Sequence, residues 1–192
     1  GINAEYGVIV IGAANAGKSQ LINRFINSDF NADPKSTVGV SMYSKQLHTQ
    51  EGDINCTIWD TAGEEKTNSL AMIYYKNAQC AIVVFDLADQ ESFDQVEFWV
   101  KQVRKTAGCP VVVCANKTDL TTVISQQDVE SLGEQFDVVV AKTSALTGQG
   151  VDEMFEAAAK LAVDNQKKNK VENLERLAVE VQREPSKKKN CC

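Results

Sequence analysis

Proline is scarce, with three residues in 192, and glycine is moderate at 11. That composition excludes collagen-like repeats and extended low-complexity disorder. Long hydrophobic runs are missing: the longest, at 7–12 and 81–85, fall far short of the ~20 residues a membrane-crossing helix needs. The first residues, GINAEYG, carry neither a charged leader nor a long apolar stretch, so no signal peptide is expected there. Glu5 stands where a myristoylation signal would place Ser or Thr. A dense basic stripe is also lacking. Twenty Lys and Arg face 26 Asp and Glu, for a net charge of −6 and a pI near 4.9, so nucleic acid is not an expected partner. Histidine is reduced to His48, a lone strand residue with no assigned role. No CxxC pair occurs among the six cysteines. Cys56, Cys80 and Cys114 sit inside apolar runs as small core residues, Cys109 falls in a Gly-Cys-Pro turn, and Cys191 and Cys192 close the sequence. Four scattered thiols and one adjacent pair make no disulfide framework, which points to a reducing compartment. What remains is 43% apolar and 24% charged. These proportions describe one globular, cytoplasmic-type domain with an ordinary core.

Charge is unevenly spread. From Gln166 onward there are eight basic residues and four Glu, leaving 12 basic and 22 acidic residues in 1–165. An acidic body (1–165) with a mildly basic, polar, flexible tail (166–192) is the expected organisation, with a short helix marked inside the tail by the helical spacing of Leu174, Leu177, Ala178 and Val181.

Within the body, short apolar runs rich in β-branched residues alternate with helix-length amphipathic stretches. GVIVIG (7–12), CTIWD (56–60), CAIVVFDL (80–87), VVVCANK (111–117) and DVVVAKTSA (137–145) predict strands buried on both faces of a mostly parallel sheet. SKQLHTQ (44–50), joined to the next strand by EGD, predicts an antiparallel edge strand. Helices are expected over 17–27, 69–77, 92–106, 125–135 and 151–163. The alternation implies right-handed crossovers and a doubly wound α/β sheet with helices on both faces. Ligands of such sheets bind at the carboxyl ends of the strands.

Four loops at those ends share one chemistry. GAANAGKS (12–19) has the G-x-x-x-x-G-K-[ST] spacing. Gly12 and Gly17 let backbone approach a phosphate, the following helix aims its amides at the anion, Lys18 neutralises the β and γ phosphates, and Ser19 ligates Mg²⁺. In DTAGEE (60–65), Asp60 would hold the metal through water and the Gly63 amide would meet the γ-phosphate. In NKTD (116–119), the Asp119 carboxylate matches the N1–H and 2-amino donors of guanine, a donor pair adenine lacks. Asn116 and Lys117 would brace that loop, and in TSA (143–145) the Ala145 amide would meet the guanine O6.

With these motifs in order, the chain resembles the Ras superfamily of small GTPases over nearly its whole length, and within it the Rab family. IWDTAGEE, the YYKNA run at 74–78, VVFDLAD at 83–89 and the terminal Cys-Cys carry the Rab resemblance, and SLAMIYYKNAQCAIVVFDL is most similar to endosomal Rabs. The resemblance implies a P-loop, small G protein fold: a six-stranded, mostly parallel sheet with one antiparallel edge strand. It also implies a nucleotide site for GTP or GDP drawn from Ala14, Asn15, Ala16, Gly17, Lys18, Ser19, Gln20, Phe30, Thr37, Gly63, Asn116, Lys117, Asp119, Ser144 and Ala145. Ser19, Thr37 and Asp60 would serve Mg²⁺, and Lys18, Gly63 and Glu64 the hydrolysis. Val40, Met42, Trp59 and Tyr74 would read effectors, although plain core packing explains the latter three equally simply. Implied partners are effectors, an exchange factor, a TBC-type activating protein, Rab escort protein and GDP-dissociation inhibitor. Geranylgeranyl groups on Cys191 and Cys192 would anchor the chain to the cytosolic face of endosomal or other membranes, since two lipid chains hold where one is marginal. Lys187, Lys188 and Lys189 would add attraction to anionic lipid. A metal-ligating or disulfide-forming thiol pair is the alternative there.

The sequence departs from that family pattern at Glu64, where most Rabs have Gln. An ionised Glu donates no hydrogen bond and brings negative charge near the phosphate oxygens, so slow intrinsic hydrolysis is expected, and a hydrolysis-deficient scaffold is the rival reading. Ala14 and Asn15 in the phosphate loop, Lys66 and Thr67 after the glutamates, and Met42 for a Phe are smaller departures. The NKTD motif sets aside a metabolic P-loop kinase.

Overall fold

A computed structural model describes residues 4–31, 37–49, 52–62 and 69–183, and their side chains except at 4, 49, 69–72 and 174–183. In chain order the elements are β1 (Ala4–Gly12), α1 (Lys18–Asn27), β2 (Val40–Thr49), β3 (Gly52–Thr61), α2 (Ser69–Asn77) and β4 (Cys80–Asp86). There follow α3 (Gln90–Asp94), α4 (Val96–Thr106), β5 (Val111–Asn116), α5 (Gln126–Phe136), β6 (Val139–Lys142) and α6 (Val151–Arg183). The six strands form one sheet in the order β2-β3-β1-β4-β5-β6. All neighbours are parallel except β2, which pairs antiparallel with β3 at the edge, as the hairpin pattern predicts. The chain steps outward from β1 in both directions, to β3 and to β4. That divergence opens a crevice at the carboxyl ends, where the loop between β1 and α1 lies.

Alternation along β1 separates two cores. Val8 and Val10 face α1 and α6, where Phe25 and Phe155 stack at 4.2 Å with planes 14° apart. Ile9 and Ile11 face the other side, with Val96, Trp99, Val100 and Val103 of α4 and Val129, Leu132 and Phe136 of α5. Cys56, Cys80, Cys109 and Cys114 are all buried and reduced. Burial raises each thiol: Cys56 and Cys114 to about 12, Cys109 to about 11, and Cys80 further still.

Three elements depart from the periodicity. The helix expected over 92–106 is broken at Gln95 and begins earlier, because Asp89 caps the Glu91 amide at 3.0 Å. Ser92 is buried, accepting from the Asp86 amide at 2.9 Å, which seats α3 on the end of β4. The sixth strand is short and half-exposed rather than buried on both faces, since it is an edge bordered by β5 alone. The flexible tail expected from 166 is corrected for 166–183, which continue α6 without a break. Most of that stretch is helix-favouring Lys, Glu, Gln, Leu, Arg and Ala, with no Gly, and Pro comes only at 185. Residues 184–192, with Cys191 and Cys192, lie outside the described residues. Among the described residues no helix is long and apolar enough to cross a membrane.

Truncating the stacked pair with Phe155→Ala should cost about 3–5 kcal/mol, read from urea unfolding of the two proteins. At pH 8 the raised thiols should make Cys56, Cys80, Cys109 and Cys114 inert to Ellman's reagent in the native protein. Peptide mapping should find them labelled only after guanidinium is added.

Candidate functional site

Four loops converge at the carboxyl edge. The first leaves β1 through Gly12 (φ +132), where a Cβ would lie 2.1 Å from the Val84 carbonyl of the neighbouring strand. Gly12 is therefore demanded by packing on β4 as much as by any ligand. Ala14 and Asn15 are exposed at the loop's tip, Asn15 in the left-handed region (φ 59). Gly17 ends the loop in the same region and caps α1, with no side chain satisfying the first amides of the helix. Those unclaimed donors and the helix dipole make a seat for an anion.

Lys18 is buried and folds back onto its own loop, its Nζ donating to the carbonyls of Gly12 (3.1 Å) and Ala13 (2.8 Å). Burial lowers its ammonium to about 8, with the charge of Asp60 opposing the shift. Asp60, ending β3, is buried too. Desolvation raises its carboxyl, against the pull of the Ser19 hydrogen bond, the Lys18 charge and the Thr37 hydrogen bond. Ser19 Oγ donates to Asp60 Oδ2 at 2.5 Å and stands 2.6 Å from Thr37 Oγ1, itself 3.5 Å from the same carboxylate oxygen. Asp60 Oδ1 is buried with no hydrogen-bond partner among the described residues. Two hydroxyls and a carboxylate with an unsatisfied oxygen form a hard-oxygen set of the kind Mg²⁺ takes. Ser19, Thr37 and Asp60 thus fit the metal, which would supply charge neutralisation for phosphate oxygens. The ammonium beside them would add to that neutralisation.

The other half of the edge is organised by Asn116, fully buried at the end of β5. Its Nδ2 donates to the Ala16 carbonyl at 2.9 Å, and its Oδ1 accepts from Thr143 Oγ1 at 3.0 Å. A Cβ on Gly17 would lie 2.4 Å from Asn116 Nδ2, so only glycine admits this contact. Lys117 adopts φ +65 and pairs with Asp86 Oδ2 at 2.7 Å. Ser144 Oγ donates to Asp119 Oδ1, which orients the carboxylate expected to read guanine. The Ala145 amide is only weakly engaged, at 3.4 Å from Asn116 Oδ1.

The fold therefore gathers Lys18, Ser19, Thr37 and Asp60 in one cluster, and Ala16, Gly17, Asn116, Lys117, Asp119, Ser144 and Ala145 in a second. Gln20 is used otherwise: its Oε1 accepts from the Asn31 amide at 3.1 Å, holding the chain beyond α1. Phe30 packs half-buried against the α1–α6 core. Gly63, Glu64, Lys66 and Thr67 lie outside the described residues. Asp86 and Arg24 were not foreseen as site residues. Asp86 carries the same signal that marked Asp60, an acidic residue ending a buried strand. Arg24, whose Nε donates to the Ala145 carbonyl at 2.8 Å, lies on a polar helix face where no sequence pattern sets it apart.

Residues 7–164 match the Ras family, a span that covers all the loops just described. The chain belongs to the Ras family. It is 35% identical over 158 residues to Ras-related protein RGP1 of Oryza sativa subsp. japonica, covering 80% of this chain and 70% of the rice protein. Ras-family small GTPases bind GTP and GDP, typically with Mg²⁺, and hydrolyse GTP as switched regulators. They generally work with effectors, exchange factors, activating proteins and GDP-dissociation inhibitors. In this small GTPase the two clusters would be a phosphate–metal half and a base half.

Replacing Asn116 with Ala strands the Ala16 carbonyl and the Thr143 hydroxyl. The expected cost is about 1–3 kcal/mol in folding, and fluorescent GDP should leave the variant at least about tenfold faster in a displacement assay.

Proposed function

We propose that this small GTPase is a Rab-type GTP/GDP switch regulating vesicular membrane traffic, most like the endosomal branch. The observation that carries the proposal is the position of Thr37. Its hydroxyl reaches Ser19 and Asp60, so the segment leading into β2 is tied to the place where a metal and γ-phosphate would sit. Loss of that phosphate removes ligands from the same cluster, and the tie to β2 weakens with it.

A surface suited to reading that change lies along β2, β3 and α2. Met42 is paired across the strands with Trp59, whose ring lies 5.7 Å from Tyr74. Val38, Met42 and Ile73 are 93%, 70% and 59% exposed. Val40 is half-buried at the start of β2. Trp59 and Tyr74 also pack against the core, so core packing explains part of their placement. The exposed Met42 and Val38 are not accounted for that way, and apolar side chains grouped on a surface favour a protein partner. In the Rab reading that partner is an effector. An exchange factor, a TBC-type activating protein, Rab escort protein and GDP-dissociation inhibitor complete the cycle. The resemblance of the Cys191–Cys192 pair supports two prenyl groups as the anchor to the cytosolic face of endosomal or other intracellular membranes.

Glu64 makes this switch slow. Phosphoryl transfer gains from positioning and charge stabilisation, and a carboxylate at that place supplies no donor and adds repulsion. The same residue favours the second reading, a long-lived GTP-bound scaffold that recruits effectors and is controlled by exchange or extraction. TBC-type proteins bring both an Arg and a Gln in trans, which would bypass Glu64. Single-turnover GTP hydrolysis separates the two. Glu64→Gln should speed the intrinsic reaction by on the order of tenfold or more, and a TBC domain should restore turnover to the unmutated protein. Equal intrinsic rates would refute the slow-switch argument. A TBC domain active on Glu64→Gln alone would select the scaffold.

A further inference from the structure

All three guanidinium nitrogens of Arg24, near the end of α1, are committed to backbone carbonyls. Nε donates to Ala145 O at 2.8 Å, Nη2 to Leu146 O, and Nη1 to Ser28 O at 3.2 Å. Ser28 is the left-handed C-cap of α1 (φ 55), and its amide returns a bond to the Arg24 carbonyl at 2.9 Å. One side chain therefore joins the closed end of the phosphate-binding helix to a loop more than a hundred residues away. The stem takes part as well: a Cβ on Gly148 would lie 3.6 Å from Arg24 Cδ, so the loop backbone runs alongside it. A planar fork with fixed donor directions suits three carbonyls at set positions, and a lysine's single ammonium does not.

The loop it holds carries the Ala145 amide. The peptide plane bearing that N–H is fixed by a bond from the Gly148 amide to the Ser144 carbonyl at 2.8 Å. The next two planes, 145–146 and 146–147, are those whose carbonyls Arg24 grips. With the loop pinned from both sides, the Ala145 N–H stays directed and, at 3.4 Å from Asn116 Oδ1, is free to serve a better acceptor. Asp119 is held separately, by Ser144 Oγ.

We infer that Arg24 is a positioning residue for base selectivity, setting how strongly the site reads the 6-oxo group of guanine while leaving the reading of the 2-amino group to Asp119. The inference rests on the pocket being a guanine site.

Affinities of the full chain and Arg24→Met for three nucleotides isolate the effect. GDP presents both groups, 6-thio-GDP replaces only the 6-oxo oxygen with sulfur, and IDP lacks only the 2-amino group. Arg24→Met should bind GDP about tenfold more weakly. Its preference for GDP over 6-thio-GDP should shrink by a similar factor, and its preference for GDP over IDP should match the unmutated chain. One common loss for all three nucleotides would make Arg24 a structural brace and overturn the inference. If Arg24→Met proves unfolded by circular dichroism, Arg24→Lys decides. A reduced GDP to 6-thio-GDP preference supports the role, and an unchanged one refutes it. An unmutated chain that fails to prefer GDP over ADP sinks the guanine reading itself, which is a different failure.

Discussion

The site depends first on one buried amide. Asn116 reaches from the end of β5 to the Ala16 carbonyl in the loop after β1, and from there to Thr143 beyond β6. A carboxamide is the only short side chain that donates and accepts at once from a single planar group. Both functions are used in a place without water to replace them. A change that removed either would leave a buried polar group unpaired on another element, which costs more than the bond itself is worth. Glycine at 17 is the counterpart of this constraint, since any Cβ there would strike Asn116 Nδ2. The phosphate loop and the base loops are thus one unit, built from segments distant in the chain and adjacent only because the sheet order places β1, β4, β5 and β6 side by side.

Charge separates the two halves of that unit. In the base half, Lys117 is paired with Asp86 and Asp119 accepts a hydrogen bond from Ser144, so each charged group has a partner in place. In the phosphate half, burial pushes Lys18 and Asp60 both toward their neutral forms, and one oxygen of Asp60 has no partner among the described residues. Buried charges held this way are costly unless further charge arrives. A polyphosphate with its divalent cation supplies both signs. Binding energy in this half would therefore come from relieving that uncompensated charge, and the number of phosphate oxygens available would decide how much is relieved.

Much of this is legible in the sequence. The four loops announce themselves because phosphate and guanine chemistry demand particular residues at fixed spacing, and because each demand falls at the end of a buried apolar run. Strand order at the hairpin edge followed from the polar 44–50 run for the same reason. What escaped was decided by tertiary context. Ser92 has hydrogen-bond partners on the turn after β4, so its helix breaks where periodicity alone runs on. Val139 lies in an apolar run yet is half-exposed, since being an edge is a property of the sheet and not of the strand. Residues 166–183 read as a solvated tail by charge and hydropathy, with only the helical spacing of 174–181 pointing to a helix, because composition of that kind is shared by tails and by helices. Arg24 was invisible because its partners are backbone carbonyls, which leave no mark on the sequence.

The division between the halves also explains why a switch needs both. In the proposed nucleotide site, a preorganised base half would spend little on ordering when a nucleotide binds, and it would meet the same groups of GTP and GDP. It would hold the ligand and discriminate nothing about the third phosphate. A ligand shifts an equilibrium only through the difference in its affinity for two states. That difference must then arise where compensation is incomplete, around Lys18, Ser19, Thr37 and Asp60. Of these, Thr37 alone belongs to the chain segment running into β2 and toward the exposed Met42. On the proposed switch reading, the change in phosphate number would be transmitted outward along β2, while the Asn116 side of the site would keep the nucleotide in place.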